Sequence, residues 1–291
     1  MIIYPRLDSQ SEASGKMDPL IALGIVLTAA GAGLLGSLLG LGGGIIIVPA
    51  LTLLFGYPMQ EAIGASLVAV IATSTGSASY YVEEGVSNVR LGLILGVVTS
   101  LGGLVGALIA VYTDQYILAL LFGLVLLYTA FYMLRSSESG GICPIGPCGK
   151  FDLSCSYQEG DEKVEYGVRN LGKGMAGSMV GGVQSGMLGV GGGVINVPVM
   201  RLWMGVPMRA ACATSNYMIG ITALAGAIVY FQFGLIMAGL AAVVAIGVLC
   251  GSLLGSRLSK RVQGKALKTV FSIVLVSVAI LMFLKAAGVM P

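Results

Sequence analysis

The chain has 291 residues, of which 56% are hydrophobic and only 10% are charged, and its mean hydropathy is +0.95. Soluble domains carry about 25% charged residues, so this composition excludes a soluble globular protein and predicts an integral membrane protein. The net charge of +3 is too small to indicate nucleic-acid binding. Because the chain has no histidine, Ser-His and Cys-His catalytic pairs are excluded. We therefore expect a protein that is not an enzyme and that needs no cofactor.

Ten hydrophobic segments follow one another along the chain. In the first half they lie near 18–39, 44–56, 61–82, 90–112 and 116–134, and in the second half near 172–188, 193–205, 210–231, 235–256 and 266–286. The second segment of each half is short, since thirteen helical residues reach about 20 Å against a hydrocarbon core of about 30 Å. This segment either stops short of the far side of the membrane or forms one arm of a re-entrant hairpin.

The two halves are copies of one unit at a constant offset of 149 residues. Residues 39–66 and 188–215 are identical at 14 of 28 positions without a gap. The sequence thus divides into an N-terminal transmembrane repeat over 1–136, a polar linker over 137–170 and a C-terminal transmembrane repeat over 171–291. Five segments per half give the halves opposite orientations, as in many secondary transporters. We predict an all-α polytopic membrane protein built from two inverted five-segment repeats.

Each repeat contains a glycine-rich motif, GLGGGIIIVP at 40–49 and GVGGGVINVP at 189–198. Neither motif has the spacing of a dinucleotide-binding loop or of a P-loop. The Gly-Gly-Gly runs open the two short segments, where the helix dipole and unpaired N–H groups attract anions. One interpretation is a tight helix crossing. The other is a small anion held near the membrane midplane by Gly42, Gly43, Gly44, Gly191, Gly192 and Gly193.

Polar residues within the apolar segments extend this candidate substrate site. Three of them are amides that replace leucine or isoleucine of the first half, and each is either a ligand group or a helix–helix hydrogen bond. Three others carry hydroxyls, which either contact the ligand or bond to the preceding helical turn. The candidates are Ser66, Gln184, Asn196, Thr214, Ser215 and Asn216.

The distribution of basic residues predicts the orientation in the membrane. Five lysines and arginines lie between 257 and 268, whereas the equivalent turn of the first half, 112–115, has none. By the positive-inside rule, the basic turn and the linker are cytoplasmic. We expect a multi-pass protein of the plasma membrane of a prokaryote. Its expected partners are the lipid bilayer and a small anion. We expect no nucleic-acid partner, and a homo-oligomer is compatible with the sequence.

The linker carries three cysteines, Cys143, Cys148 and Cys155, whose spacings of five and seven differ from the Cys-x2-Cys of zinc sites. On the cytoplasmic side these thiols are expected to be reduced. We predict no resident metal, and these thiols are the candidate ligands if one is bound. The simpler interpretation is a small folded connector in which DEKVEYGVRN pairs as a short hairpin.

Four stretches, GLGGGIIIVPAL, YPMQEAIGAS, SGMLGVGGGVINVPVM and GVPMRAACATSNYMIGITALAGAIVYFQFG, resemble the TauE/SafE family of sulfite exporters and anion permeases. The cysteine-bearing linker is longer than this resemblance implies. The resemblance implies transport of sulfite or an organosulfonate, so we predict an exporter of a small sulfur oxyanion that works by alternating access. The alternatives are a membrane redox or metal sensor, or scaffold, working through the cysteine loop, and a channel.

Overall fold

The computed structural model describes residues 19–135, 155–159, 162–258 and 265–287. Its first half contains α1 (Pro19–Leu39), α2 (Gly44–Pro49), α3 (Met59–Glu83), α4 (Val89–Val111) and α5 (Gln115–Arg135). Its second half contains α6 (Leu171–Leu188), α7 (Gly193–Pro198), α8 (Met208–Gln232), α9 (Ala238–Leu258) and α10 (Lys265–Ala286). The short helices continue into π-helical segments, Ala50–Leu54 after α2 and Val199–Trp203 after α7. These bounds agree with the predicted segments to within a few residues.

Each short helix changes from α to π geometry at a proline. Pro49 ends α2 and Pro198 ends α7, and proline lacks the N–H group that an α-helical turn requires. In the first half, the hydroxyl of Thr52 donates a hydrogen bond of 2.9 Å to the carbonyl of Val48, next to the change. A proline at the same repeat position therefore produces the same irregular segment twice.

Each short helix folds back along the helix that precedes it. In the second half, Asn196 lies against Gly181 and Trp203 lies against Gly177, so the numbering runs in opposite directions along the two arms. In the first half, too, residue numbers run in opposite directions along the short helix and the helix that precedes it. Of the two predicted alternatives, these contacts favour the arm of a hairpin.

The helices of the two halves pack in a pattern that is unchanged when the halves are exchanged. α1 packs on α9 as α6 packs on α4, and α3 packs on α9 as α8 packs on α4. The equivalent helices α3 and α8 also pack on each other, as do α5 and α10. α3 and α8 run antiparallel, since Leu67 contacts Gly226 while Ser74 contacts Asn216. The opposite orientation of the halves in a membrane stays a prediction.

Small residues let these helices approach at backbone distance. A Cβ on Gly251 of α9 would overlap the carbonyl of Ala30 in α1, and a Cβ on Gly186 of α6 would overlap the carbonyl of Gly103 in α4. Close crossings of this kind supply van der Waals contacts in lipid, where little hydrophobic driving force acts between helices. The high glycine content therefore has a packing role.

Five of the described helices are long and apolar enough to cross a membrane, namely α1, α3, α4, α8 and α9. α3 and α8 are the most enclosed, with 67% and 72% of their most apolar windows buried. Other helices expose large apolar side chains, as a surface in contact with lipid requires. The centre of the molecule is therefore formed by α3, α8 and the glycine-rich loops.

The described part of the linker is an antiparallel hairpin of β1 (Cys155–Glu159) and β2 (Glu162–Tyr166). The sequence predicts a short hairpin in DEKVEYGVRN, at 161–170; the structure has a hairpin in this region, but among the described residues only 162–166 of that stretch pairs, and its partner strand precedes the stretch. Its buried Tyr157 and Tyr166 join one apolar cluster with Met204, ahead of α8, and Tyr81, near the end of α3. The guanidinium carbon of Arg209 lies 5.8 Å from the centre of the Tyr157 ring. The hairpin thus covers the end of the bundle where α3 ends and α8 begins.

Candidate functional site

The two glycine-rich loops cross each other inside the protein. A Cβ on Gly44 would overlap the carbonyl oxygen of Gly189, and a Cβ on Gly193 would overlap that of Gly40. All glycines of the two runs are buried. The four glycines that precede α2 and α7 have φ between 76° and 84°, a left-handed conformation that favours glycine; they are Gly42, Gly43, Gly191 and Gly192. Close approach and backbone conformation both explain the Gly-Gly-Gly motif.

Ser66 and Ser215 hold this crossing together. The hydroxyl of Ser66 donates a hydrogen bond of 2.8 Å to the carbonyl of Gly189, and that of Ser215 donates one of 2.9 Å to the carbonyl of Gly40. Both serines are fully buried. Each hydroxyl proton is donated to the opposite half, so it is not available to the serine's own helix or to a ligand. Only the lone pairs of the hydroxyl oxygen remain for a contact with a substrate.

Two apolar side chains stand between the glycine loops. A Cβ on Gly42 would lie 2.8 Å from Cδ1 of Ile219, and one on Gly191 would lie 2.9 Å from Cγ1 of Val70. Val70 and Ile219 are equivalent by the repeat, and both are fully buried. An anion shared by the two glycine runs would therefore require these side chains to move.

Unpartnered polar atoms collect in the second half, where α6 meets the start of α7. Within the part of the chain that the structure describes, the amide atoms of Gln184 and Asn196 and the hydroxyl of Ser185 have no hydrogen-bond partner. A Cβ on Gly181 would lie 2.8 Å from Oδ1 of Asn196. A Cβ on Gly192 would lie 3.4 Å from Nδ2 of Asn196 and 3.3 Å from Cβ of Ser185. The structure thus brings Asn196 and Ser185 together beside the second glycine run.

This cluster of Gln184, Ser185 and Asn196, called the polar cluster below, is a feature of one repeat only. The first half has leucine, glycine and isoleucine at the equivalent positions. Asn196 and Ser185 are fully buried, and Gln184 is 9% exposed. Because an unpaired buried polar group costs about 1–3 kcal/mol, retaining several at one place indicates a site for a ligand or for ordered water.

Ser185 is missing from the residues selected by sequence reasoning. The signal is present in the repeat, since Ser185 stands where the first half has Gly36. Serine in a membrane helix is common and usually bonds to its own helix, so the substitution alone does not indicate a ligand. Only the structure shows that this hydroxyl is buried without a partner.

The two remaining candidates have partners within the protein. Asn216 donates from Nδ2 to the carbonyl of Ser37 over 2.9 Å, which is the helix–helix bond foreseen as one alternative, while its Oδ1 is unpartnered. The hydroxyl oxygen of Thr214 accepts a hydrogen bond of 3.0 Å from the backbone N–H of Asn88. Asn216 thus joins α8 to α1, and Thr214 joins α8 to the start of α4.

The linker thiols are not assembled by the described part of the chain. Cys143 and Cys148 lie outside the described residues, and Cys155, a free thiol, begins β1. Over 19–135, 155–159, 162–258 and 265–287, no group of three metal-ligating side chains is found.

Comparison with known proteins identifies the family. The model of the family described as "Sulfite exporter TauE/SafE" matches residues 25–282, which include both repeats. This chain belongs to the TauE/SafE family. The probable membrane transporter protein YunE of Bacillus subtilis is 28% identical to this TauE/SafE protein over 264 residues, covering 88% of this chain and 93% of YunE.

Two further relatives have the same description. A probable membrane transporter protein of Methanocaldococcus jannaschii is 26% identical over 280 residues, covering 91% of this chain and 94% of its own. One of Xylella fastidiosa is 28% identical over 262 residues, covering 88% and 94%. No solved structure matches this chain.

These matches confirm the class of the protein. It is an integral membrane protein of a transporter family, and its relatives are membrane transporters rather than enzymes. The predicted alternative, a sensor or scaffold working through the cysteine loop, finds no support among them.

Proposed function

We propose that this TauE/SafE protein exports a small sulfur oxyanion, sulfite or an organosulfonate, by alternating access. The observation that carries the proposal is the polar cluster, whose amide and hydroxyl atoms are buried without partners among the described residues; two of its members, Ser185 and Asn196, lie next to Gly192. Family membership supports the class of substrate. The polar cluster supplies a place for it, on the second half of the chain.

The chemistry of the polar cluster suits an oxyanion. Each amide presents two N–H donors and the serine presents one O–H donor, whereas oxyanion oxygens only accept. Helix α7 begins at Gly193 and continues without a break into the π-helical segment that ends at Trp203. The N-terminal end of this continuous helix adds partial positive charge near Asn196. Neutral donors bind an anion less tightly than a lysine or arginine does, which suits a site that must also release its ligand.

The crossing of the two hairpins is suited to act as the pivot of alternating access. In our proposal the halves rock about the contacts of Ser66 with Gly189 and of Ser215 with Gly40, which both halves supply equally. Val70 and Ile219 then act as the apolar barrier that separates the two sides of the membrane. Their position between the glycine loops makes them the side chains that must move when the path opens.

The proposal includes the inverted arrangement of the repeats and an orientation in the plasma membrane. The antiparallel contact of α3 with α8 supports the inverted arrangement. The positive-inside rule assigns the basic turn after α9 and the linker to the cytoplasm. The linker hairpin would then cover the cytoplasmic end of the transport path, and substrate would leave from the opposite end.

Flux measured in proteoliposomes tests this function. Vesicles loaded with radiolabelled sulfite should lose it faster with wild-type protein than without protein. Asn196→Ile, which installs the residue of the first repeat, should abolish the difference, whereas Ser100→Ala, a half-buried position on α4 whose hydroxyl bonds within its own helix, should leave it unchanged. Absence of flux for every sulfur oxyanion would contradict the proposal. Turnover at channel rates would show that the protein is a channel and does not work by alternating access.

A further inference from the structure

An apolar groove of about 660 Å³ lies between α5 and the hairpin of α6 and α7. Its volume falls within the range of small-molecule sites, about 300–1,000 Å³. Side chains at its rim are largely exposed, with Val180 at 60%, Leu124 at 50%, Tyr128 at 49% and Trp203 at 47%. The exposed rim side chains are apolar or aromatic, as on a surface in contact with lipid, so the groove opens sideways toward the bilayer.

Gln184 lines this groove and is the only carboxamide among the described residues that line it. The side chain is 9% exposed, and neither its amide nitrogen nor its amide oxygen has a hydrogen-bond partner among the described residues. A hydrocarbon chain in the groove would leave the N–H donors of Nε2 unpaired, at a cost that hydrocarbon burial does not remove. The occupant that fits has an apolar body and a polar group placed at Gln184.

We propose that the groove binds an amphiphilic oxyanion, with the head at Nε2 of Gln184 and an alkyl or aryl body along the apolar walls. The inference rests on the proposed function, because Gln184 belongs both to the groove and to the polar cluster. Ser185, the next residue, lies beside Gly192. In this arrangement the head reaches the transport site from the lipid side. The groove then selects substrates whose apolar body fits its walls.

The far end of the groove fixes the orientation of the body. Trp203 packs against Gly177, which precedes Gln184 by seven residues, or about 10 Å along α6. An alkyl chain of medium length that leaves Gln184 therefore ends beside Trp203. Shorter sulfonates fill less of the groove and bind more weakly, by about fourfold for each methylene that is not buried.

The chain's single tryptophan makes occupancy measurable. Purified protein is titrated with 6-bromohexanesulfonate, whose bromine quenches tryptophan fluorescence on contact. We expect saturable quenching. Methanesulfonate, butanesulfonate and hexanesulfonate should reverse it with increasing effect, whereas hexyltrimethylammonium should not reverse it. Gln184→Leu should weaken sulfonate binding about tenfold. Gln232→Leu, the same change at the exposed end of α8, should have no effect.

Several outcomes would overturn the inference. Quenching that rises without saturation, or that the cation reverses as well as the sulfonate does, would show simple partition into the micelle. Saturable quenching by a brominated phospholipid that sulfonates do not displace would show that the groove holds membrane lipid instead. The chain-length series uses wild-type protein, so the test does not depend on the folding of Gln184→Leu.

Sulfite flux measured in parallel separates this inference from the proposed function. Flux without saturable quenching overturns the inference about the groove and leaves the proposed function standing. Saturable, sulfonate-selective quenching without sulfite flux supports the groove as a binding site and contradicts sulfite as the substrate. Failure of both measurements overturns both proposals.

Discussion

The hydroxyl of Ser66 donates a hydrogen bond of 2.8 Å to the carbonyl of Gly189, although 123 residues separate them in sequence. The repeat reproduces this bond between Ser215 and Gly40 at 2.9 Å. Each bond joins a long helix of one half to the glycine loop of the other. The carbonyls of Gly40 and Gly189 therefore receive these hydrogen bonds only when the halves are assembled, so we infer that the two repeats form one folding unit.

Removing these serine hydroxyls should destabilise the protein. Ser66→Ala and Ser215→Ala each leave a buried carbonyl unpaired, and we expect a loss of about 1 kcal/mol for each change. The melting temperature in detergent checks this expectation. Ser100→Ala is the control, because the hydroxyl of Ser100 bonds to the carbonyl of Val97 within its own helix. Equal melting temperatures for all three variants would contradict the role given to the serines.

A methyl group at the crossing should be far more harmful than one at the lipid face. In Gly193→Ala the new Cβ would overlap the carbonyl of Gly40, whereas in Gly31→Ala it meets nothing within 4 Å. Overpacking costs about 1–3 kcal/mol or more, while alanine in place of an exposed helical glycine stabilises by about 0.5–1 kcal/mol. Thermal melting of the two variants should thus shift in opposite directions. A neutral Gly193→Ala would show that the loops do not cross this closely.

Asn196→Ile should separate stability from transport. The substitution removes a buried amide that has no partner, and the first half accommodates isoleucine at the equivalent position. We expect a melting temperature equal to or above that of the wild type, together with loss of flux, because the unpaired amide contributes to binding rather than to folding. A variant that melts lower and transports normally would give Asn196 a structural role.

The linker hairpin should make stability depend on high pH through Tyr166. Burial raises the pKa of Tyr166 far above its usual value of about 10, the nearby Cys155 adds to this, and the Asn88 side chain opposes it. A raised pKa in the folded state stabilises the protein below pH 10, and this contribution is lost as the pH rises further.

The melting temperature at pH 9 and pH 11 tests this dependence. We expect the fall between the two pH values to be smaller in Tyr166→Phe than in the wild type. Tyr112→Phe, at a tyrosine that is 78% exposed, should keep the fall of the wild type. The same fall in all three proteins would show that Tyr166 ionises as easily as an exposed tyrosine.

Much of the helical framework follows from the sequence, because apolar length and the repeat fix it. The short second segments are also predictable, and their folding back appears among the alternatives. Asn196 and Gln184 stand out as amides in apolar surroundings. The repeat alignment singles them out because the first half carries leucine or isoleucine there.

Other features depend on which side chains meet in space, and sequence spacing does not report this. In sequence, Val70 and Ile219 look like ordinary helix residues, yet their side chains lie between the two glycine loops. Ser66 and Ser215 look like residues that bond to their own helices, yet they bond to the opposite half. The unpartnered polar atoms therefore lie in the polar cluster of the second half rather than between the two glycine loops.

Thermal melting of the purified protein against sulfite tests the central claim most directly, because a ligand that binds only the folded state raises the melting temperature. At a concentration of one hundred times Kd the stabilisation is about 2.7 kcal/mol. We predict a saturable rise with sulfite or a sulfonate in wild-type protein that is absent in Asn196→Ile and weaker with acetate. An equal rise in Asn196→Ile, or no rise with any anion in protein that melts cooperatively, would contradict an oxyanion site at the polar cluster.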